Sequence, residues 1–300
     1  MSLEDYIGSL SGDENRNKLV DQFQKIPSDL TQKNYTVAKL NGNKNNFNNI
    51  FSSQESRVKL LTRTGSDYIN ANYILDRYIA TQQPNIYSHF DFWDMVYESD
   101  VGMIINLSGN NNYMSIHHQV HDKFLLEIED LSNKDYLEIR LIKMTCKIIP
   151  DKIKRIYHIT MSNWPDFGVP NKDYFCKAFD AINLIDYASN KKIIVHCRAG
   201  VGRTGTFISI HYLYRMFQNG VYPNIIDTVR DMRKSRIGMI QDKSQFLFVI
   251  DVVLNKLLEI KNKQVNLIRI KEENKYLLSE SSYLSQSTEF HNKLSKSAGL

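Results

Sequence analysis

Between residues 192 and 217 the chain changes its apolar period from that of a buried strand to that of a helix, and two glycines sit at the change. Lys192-Ile193-Ile194-Val195-His196 has the short, continuous apolar centre of a strand covered on both faces, and Phe207, Ile210, Tyr214 and Phe217 recur at helical spacing. Joining them is Cys197-Arg198-Ala199-Gly200-Val201-Gly202-Arg203-Thr204-Gly205. A glycine-containing loop that feeds a helix N-terminus turns successive backbone N–H groups inward and adds the positive end of the helix dipole, so the segment is an anion cradle. The N–H groups of Arg198, Ala199, Gly200, Val201 and Gly202 are its candidate anion donors. Oriented amides, the dipole and Arg203 all favour the thiolate form of Cys197 at the base of the cradle. Arg203 can hold two oxygens of a tetrahedral anion bidentately, where lysine would offer a point charge. The Thr204 hydroxyl can donate to the sulfur and make it a better leaving group.

Upstream, Leu19, Phe23 and Ile26 predict an amphipathic helix before Pro27. Residues 41–54 have loop composition around one large aromatic, Phe47. Strands are expected at 68–74, 78–80, 101–107, 124–130, 136–144 and 154–160, with helices at 90–98, 172–189, from Pro223 and over 243–260. Beyond Lys263 the chain turns polar, as mobile tails do. The expected division is therefore a lead over 1–14, one domain over 15–262 and a tail over 263–300.

Composition excludes several classes. Cys146, Cys176 and Cys197 cannot close a disulfide framework and contain no CxxC pair, which points to a reducing, cytoplasmic setting. No run of about 18 apolar residues occurs and the first residues are acidic, so neither a membrane span, a membrane anchor nor a signal peptide is expected. A net charge of +5 is spread along the chain, which is an ordinary solvated surface rather than a nucleic-acid face. His117, His118 and His121 lack the carboxylate or cysteine company of a metal site, and no metal or other cofactor is expected.

The pattern HCxxGxxR followed by Thr-Gly resembles the signature of the protein tyrosine phosphatases, specifically the tyrosine-specific members. Trp164-Pro165-Asp166-Phe167-Gly168-Val169-Pro170 is similar to the family's mobile acid loop, and Arg236-Ile237-Gly238-Met239-Ile240-Gln241, with Gln245 four residues on, to its glutamine loop. Asn45-Asn46-Phe47-Asn48-Asn49-Ile50 matches the phosphotyrosine-recognition loop, and 67–72, 78–82 and 92–93 match scaffold segments, so the likeness spans roughly residues 15–260. It implies one α/β domain, a highly twisted mixed sheet flanked by helices, with the site at the C-terminal end of the 192–196 strand. It also implies hydrolysis of phosphotyrosine in proteins through a phosphocysteine on Cys197, with Asp166 as general acid then base and Arg203 stabilising the transition state. Gln241 would position water, and Phe47, Asn49 and Gln245 would contact substrate.

Departures accompany the match. Asn49 stands where the family has an acid, Gln83 where it has glycine, and residues 108–118 contain neither the acid that braces the signature arginine nor the Lys and Tyr-Trp-Pro motif. Two rivals follow: a silent phosphotyrosine-binding module, and a dual-specificity or RNA 5′-phosphatase with a shallower pocket. The short length and Asn/Lys bias are similar to those of small insect-virus (polydnavirus-like) members.

Overall fold

Residues Lys192–Cys197 form a strand covered on both faces, as their continuous apolar character requires, and they lie within an eight-stranded sheet. The computed structural model describes residues 1–266 and 269, apart from 29–32, 62–64, 115–122, 135, 167 and 187–189. In chain order the strands are β1 (Arg57–Lys59), β2 (Tyr68–Ile74), β3 (Tyr78–Gln82), β4 (Val101–Asn106), β5 (Phe124–Lys134), β6 (Leu137–Cys146), β7 (Ile149–Met161) and β8 (Lys192–Cys197). Their spatial order is β1-β2-β3-β8-β4-β7-β6-β5. The four strands β3, β8, β4 and β7 run parallel, and both flanks are antiparallel, so the sheet is mixed. The expected α/β class and mixed sheet are observed.

Alternation along β8 divides the core. Ile193, Val195 and Cys197 face one layer, packed with α5 (Lys172–Asp186), α6 (Gly202–Gln218), α7 (Ile225–Ser235) and α8 (residues 243–266). Ile194 faces the other, where α4 (His89–Glu98) contributes Phe92, Trp93, Met95 and Val96. Because β8 is parallel to both neighbours, its C-terminal end opens beside Gln82 at the end of β3 and Asn106 at the end of β4. Open parallel sheets bind ligands outside such strand ends.

The predicted strands are present, and β5, β6 and β7 run longer than their apolar patterns suggested. The helix expected over 172–189 is observed to Asp186, its last three positions lying outside the described residues. The N-terminal lead contains a further helix, α1 (Leu3–Leu10), with a Ser2 capping box. It buries Leu3, Tyr6 and Leu10 and donates the Tyr6 hydroxyl to the Pro223 carbonyl at 2.6 Å. Next comes α2 (Asp13–Gln24), whose Phe23 stacks on Phe246. At the other end α8 continues through residue 266, past the expected start of the tail; apart from 269, the rest of 263–300 lies outside the described residues. No described helix is long and apolar enough to cross a membrane.

Candidate active site

Cys197 ends β8 with 3% of its surface exposed, and its sulfur accepts the Gly200 N–H at 3.3 Å and the Thr204 hydroxyl at 3.2 Å. Glycine is required at 200 on two counts. Its φ is +71°, and a Cβ there would lie 2.1 Å from the Thr81 carbonyl oxygen of β3, whose backbone has nowhere to move. Gly202 opens α6 with its Cα so close to the glutamine loop that a Cβ would meet Gln241 Oε1 at 2.5 Å.

The loop is held from behind by Arg236, which is wholly buried. Its Nε donates to the Gly200 carbonyl at 2.8 Å, Nη2 to the Ala199 carbonyl at 3.0 Å and Nη1 to Asn72 Oδ1 at 2.7 Å. A trans peptide carries its N–H opposite its C=O. Fixing the carbonyls of Ala199 and Gly200 on the outside therefore fixes the N–H groups of Gly200 and Val201 on the inside, which is how the cradle acquires its direction. Burial brings the Arg236 pKa down to about 10, still charged at neutral pH.

Arg203 points to the acid loop. Its Nη1 donates to the Trp164 carbonyl at 2.9 Å and its Nη2 is paired with Asp166. Trp164 is itself anchored, through Nε1 to the Gly168 carbonyl at 3.0 Å and edge-on packing against Phe175. Among the described residues Asp166 is the only carboxylate on Arg203. Residues 108–112 instead belong to an amide network: Asn106 donates to Asn111 Oδ1 at 2.7 Å, and Asn111 to Glu138 at 3.2 Å.

Sequence reasoning found no role for Tyr113. Its hydroxyl lies 2.7 Å from His158 Nε2 and 2.6 Å from His196 Nε2, and so ties the residue before Cys197 to β7. One hydroxyl has one proton, so one histidine donates to it and the other accepts. Burial lowers both histidines to about 3, which keeps them neutral. A tyrosine followed by Met114 gave no motif to recognise, and its partners are 45 and 83 residues away.

The loop carrying Phe47 is tied to the strand beside Cys197. Gln82, which pairs with Cys197 in the sheet register, accepts the Asn46 N–H at 2.9 Å and donates to the Lys44 carbonyl at 2.7 Å. Asn45 Oδ1 receives the Tyr68 hydroxyl and Asn70 Nδ2, and Lys44 pairs inward with Asp91 at 2.9 Å. At the altered turn the Gln83 N–H reaches the Arg198 carbonyl at 3.3 Å. Reading 78–82 as mere scaffold thus missed Gln82 as the anchor of this loop.

These elements enclose a pocket of about 230 Å³ with Cys197 among its lining residues. Of the predicted site residues, Phe47, Asn49, Asp166, Arg198, Ala199, Arg203, Gln241 and Gln245 also line it, and Ile50 is added. Gly200, Val201, Gly202 and Thr204 are buried and do not line the pocket. Gln245 accepts the Gln241 N–H at 3.0 Å, which couples the two glutamines. The described residues contain no group of side chains fit to hold a metal, and His117, His118 and His121 lie outside them. All three cysteines are free thiols.

The site is a buried cysteine under inward amides, with a carboxylate and a guanidinium beside it. The sequence profile described as Protein-tyrosine phosphatase matches residues 41–255. Rat tyrosine-protein phosphatase non-receptor type 20 is 32% identical over 253 residues, 78% of this chain and 58% of that protein. Mouse tyrosine-protein phosphatase non-receptor type 7 is 30% identical over 77% of this chain and 69% of its own length. Human receptor-type tyrosine-protein phosphatase eta is 33% identical over 76% of this chain, and the match spans only 18% of that receptor. Most of these relatives extend well beyond what they share with the chain. The profile match over 41–255 includes every residue that lines the pocket, and the chain belongs to the protein-tyrosine phosphatase family.

Proposed function

We propose that the chain hydrolyses phosphotyrosine in proteins by double displacement through Cys197. The observation that carries this reading is the Cys197 sulfur, held by the Gly200 N–H and the Thr204 hydroxyl in a pocket that Arg203 and Asp166 also line. In the first step the thiolate attacks phosphorus, the P–O bond to the phenol breaks, and Asp166 gives its proton to the departing oxygen. The Gly200 and Val201 amides and Arg203 hold the equatorial oxygens as charge redistributes. In the second, Gln241 orients a water, Asp166 takes its proton as the water oxygen bonds to phosphorus, and the S–P bond breaks to release inorganic phosphate, with Thr204 donating to the freed thiolate.

Before substrate arrives Asp166 is the partner of Arg203. A phosphate dianion offers Arg203 a better acceptor and releases the Asp166 carboxylate, which takes up a proton from solvent before it faces the leaving group, so acid delivery is tied to an occupied cradle. Phe47 and Ile50 add apolar wall above the sulfur, which supports a pocket suited to an aromatic phosphate ester rather than a phosphoserine. The test is turnover of an aryl phosphate and of a phosphotyrosine peptide by the wild type and by Cys197→Ser. Loss of a nucleophile costs several orders of magnitude, so residual Cys197→Ser activity within about tenfold of wild type refutes the mechanism. A folded wild type without turnover across mildly acidic to mildly basic pH would favour a phosphotyrosine-binding module.

A further inference from the structure

Phe47 separates two openings. On one side is the pocket containing Cys197; on the other lies a groove of about 610 Å³ formed by Phe47 with Lys39, Asn45, Asn48 and Phe51. A protein segment whose tyrosine enters the pocket must run its neighbouring residues over this rim, because an extended chain advances only about 3.3–3.6 Å per residue.

The charges that line these openings are few. Asp166 and Arg203 neutralise each other. The cation within the Phe47 loop, Lys44, is turned inward to Asp91 and is 15% exposed at its side chain. Asn45, Asn46, Asn48 and Asn49 present only neutral amides. Two cations remain, Arg198 and Lys39; both are exposed, and among the described residues neither is in an ion pair. The Arg198 guanidinium carbon lies 5.6 Å from the centre of the Phe47 ring, within cation–π range. Its backbone is fixed as well, the Arg198 carbonyl accepting from Gln83 N–H and Asn46 Nδ2 at 3.3 Å each. Arg198 is therefore a partly preoriented fork at the lip of the pocket, free to take a carboxylate bidentately. The nearest acid on the glutamine loop, Asp242, is occupied in capping α8, where it accepts from Ser244 and the Gln245 N–H.

We propose that Arg198, helped by Lys39, selects segments carrying an aspartate or glutamate within two residues of the phosphotyrosine. This rests on the phosphotyrosine reading of the pocket and adds a choice among phosphotyrosine proteins that the cradle, which sees only the phosphate, cannot make. It is made by side chains outside the recognition loop, whose own positions 48 and 49 are neutral.

The test uses phosphotyrosine peptides that differ only in Asp or Asn at each of the two positions before and after the tyrosine. For the wild type, kcat/KM is measured; for the Cys197→Ser background, Kd is measured by fluorescence anisotropy, so the charge preference is read whether or not the chain turns over. The expected Asp-over-Asn preference at the best position is about fivefold to tenfold at low ionic strength and at least halved in ~0.5 M salt, as a solvent-exposed charge pair requires. Arg198→Gln should bring the ratio within about twofold of unity, and Arg198→Glu should invert it in favour of lysine-flanked peptides. Lys39→Gln should lower it less. A residue that merely supports Phe47 would change Asp and Asn peptides equally. A wild-type ratio near one, or a preference that survives both Arg198 variants, overturns the inference; if the wild type still turns over aryl phosphate, the enzymatic reading stands. Failure of wild-type turnover with a retained Asp preference in Kd overturns the enzymatic reading instead.

Discussion

Replacing Arg236 with Met removes the three hydrogen bonds that hold the cradle from outside while keeping a side chain of similar length. The acceptors left behind, the carbonyls of Ala199 and Gly200 and the Asn72 amide oxygen, are bonded at 2.7–3.0 Å to a group with no solvent exposure. An unpaired buried acceptor costs about 1–3 kcal/mol, and carbonyls keep some residual capacity, so the lower half of that range gives about 3–6 kcal/mol for the three. Relief of the desolvation that lowers the Arg236 pKa returns part of this, and a net loss of about 2–4 kcal/mol is expected. A domain stable by about 5–15 kcal/mol would remain largely folded at 25 °C. Urea unfolding monitored by tryptophan fluorescence gives the first number. Competitive inhibition by inorganic phosphate gives the second, because peptide units free to turn no longer present the Gly200 and Val201 N–H groups together; the inhibition constant should rise by about tenfold or more, the equivalent of ~1.4 kcal/mol. Arg236→Lys, which can keep one of the three bonds, should fall between. The reasoning fails if Arg236→Met loses less than about 1 kcal/mol, or if it loses stability while phosphate binds as before.

Asp166→Ala should lower kcat by about 10²–10⁴ with KM little raised, measured on a phosphotyrosine peptide; a raised KM at unchanged kcat would make Asp166 a binding residue. Asn49→Asp should improve peptide kcat/KM by up to about tenfold, since a charged acceptor holds a substrate amide roughly twice as strongly as a neutral one, and should barely alter aryl phosphate kinetics; equal gains on both substrates would point to a repaired fold. Stability should also fall on acidification. His158, His196 and His211 are each pushed to about 3 by burial, against about 6.5 when unfolded, so the unfolded chain takes up protons that the folded one refuses. Each therefore contributes stability that is present above pH ~6.5 and is lost at up to about 1.4 kcal/mol per pH unit as the pH drops towards 3. Asp186, raised by burial, works the opposite way. Urea midpoints from pH 7 to 5 check this, and a flat profile would mean that these histidines are protonated in place.

Residues close together in the chain carried most of the chemistry by themselves. The apolar run into Cys197, the glycines, Arg203 and Thr204 act within one strand–loop–helix, and local periodicity with the demands of an anion cradle was enough to read them. Asp166, Phe47, Gln241 and Gln245 were also legible, because each lies in its own short motif, and the fold gathers them around one pocket of about 230 Å³. What tertiary structure alone decided is how that pocket is held. Arg236 reaches the cradle from 36 residues away, Gln82 fixes a loop 36 residues before it, and Tyr113 serves histidines on β7 and β8. Tyr113 has no local signal, and the matched segments that contain Arg236 and Gln82 do not say what those two side chains hold, since a buried arginine, glutamine or tyrosine looks like any other until its partners are known. The same holds for Arg198: its carbonyl is fixed by Gln83 and Asn46, and only the approach of Phe47, about 150 residues upstream, gives its charge a direction. Helix α1 shows the remaining gap, for its apolar face is short and acquires meaning only against Phe217 and Tyr222, which the fold brings to it. Sequence pattern reports what a segment can bury or bind, whereas the partner that satisfies a buried polar group is settled by distant chain meeting in space.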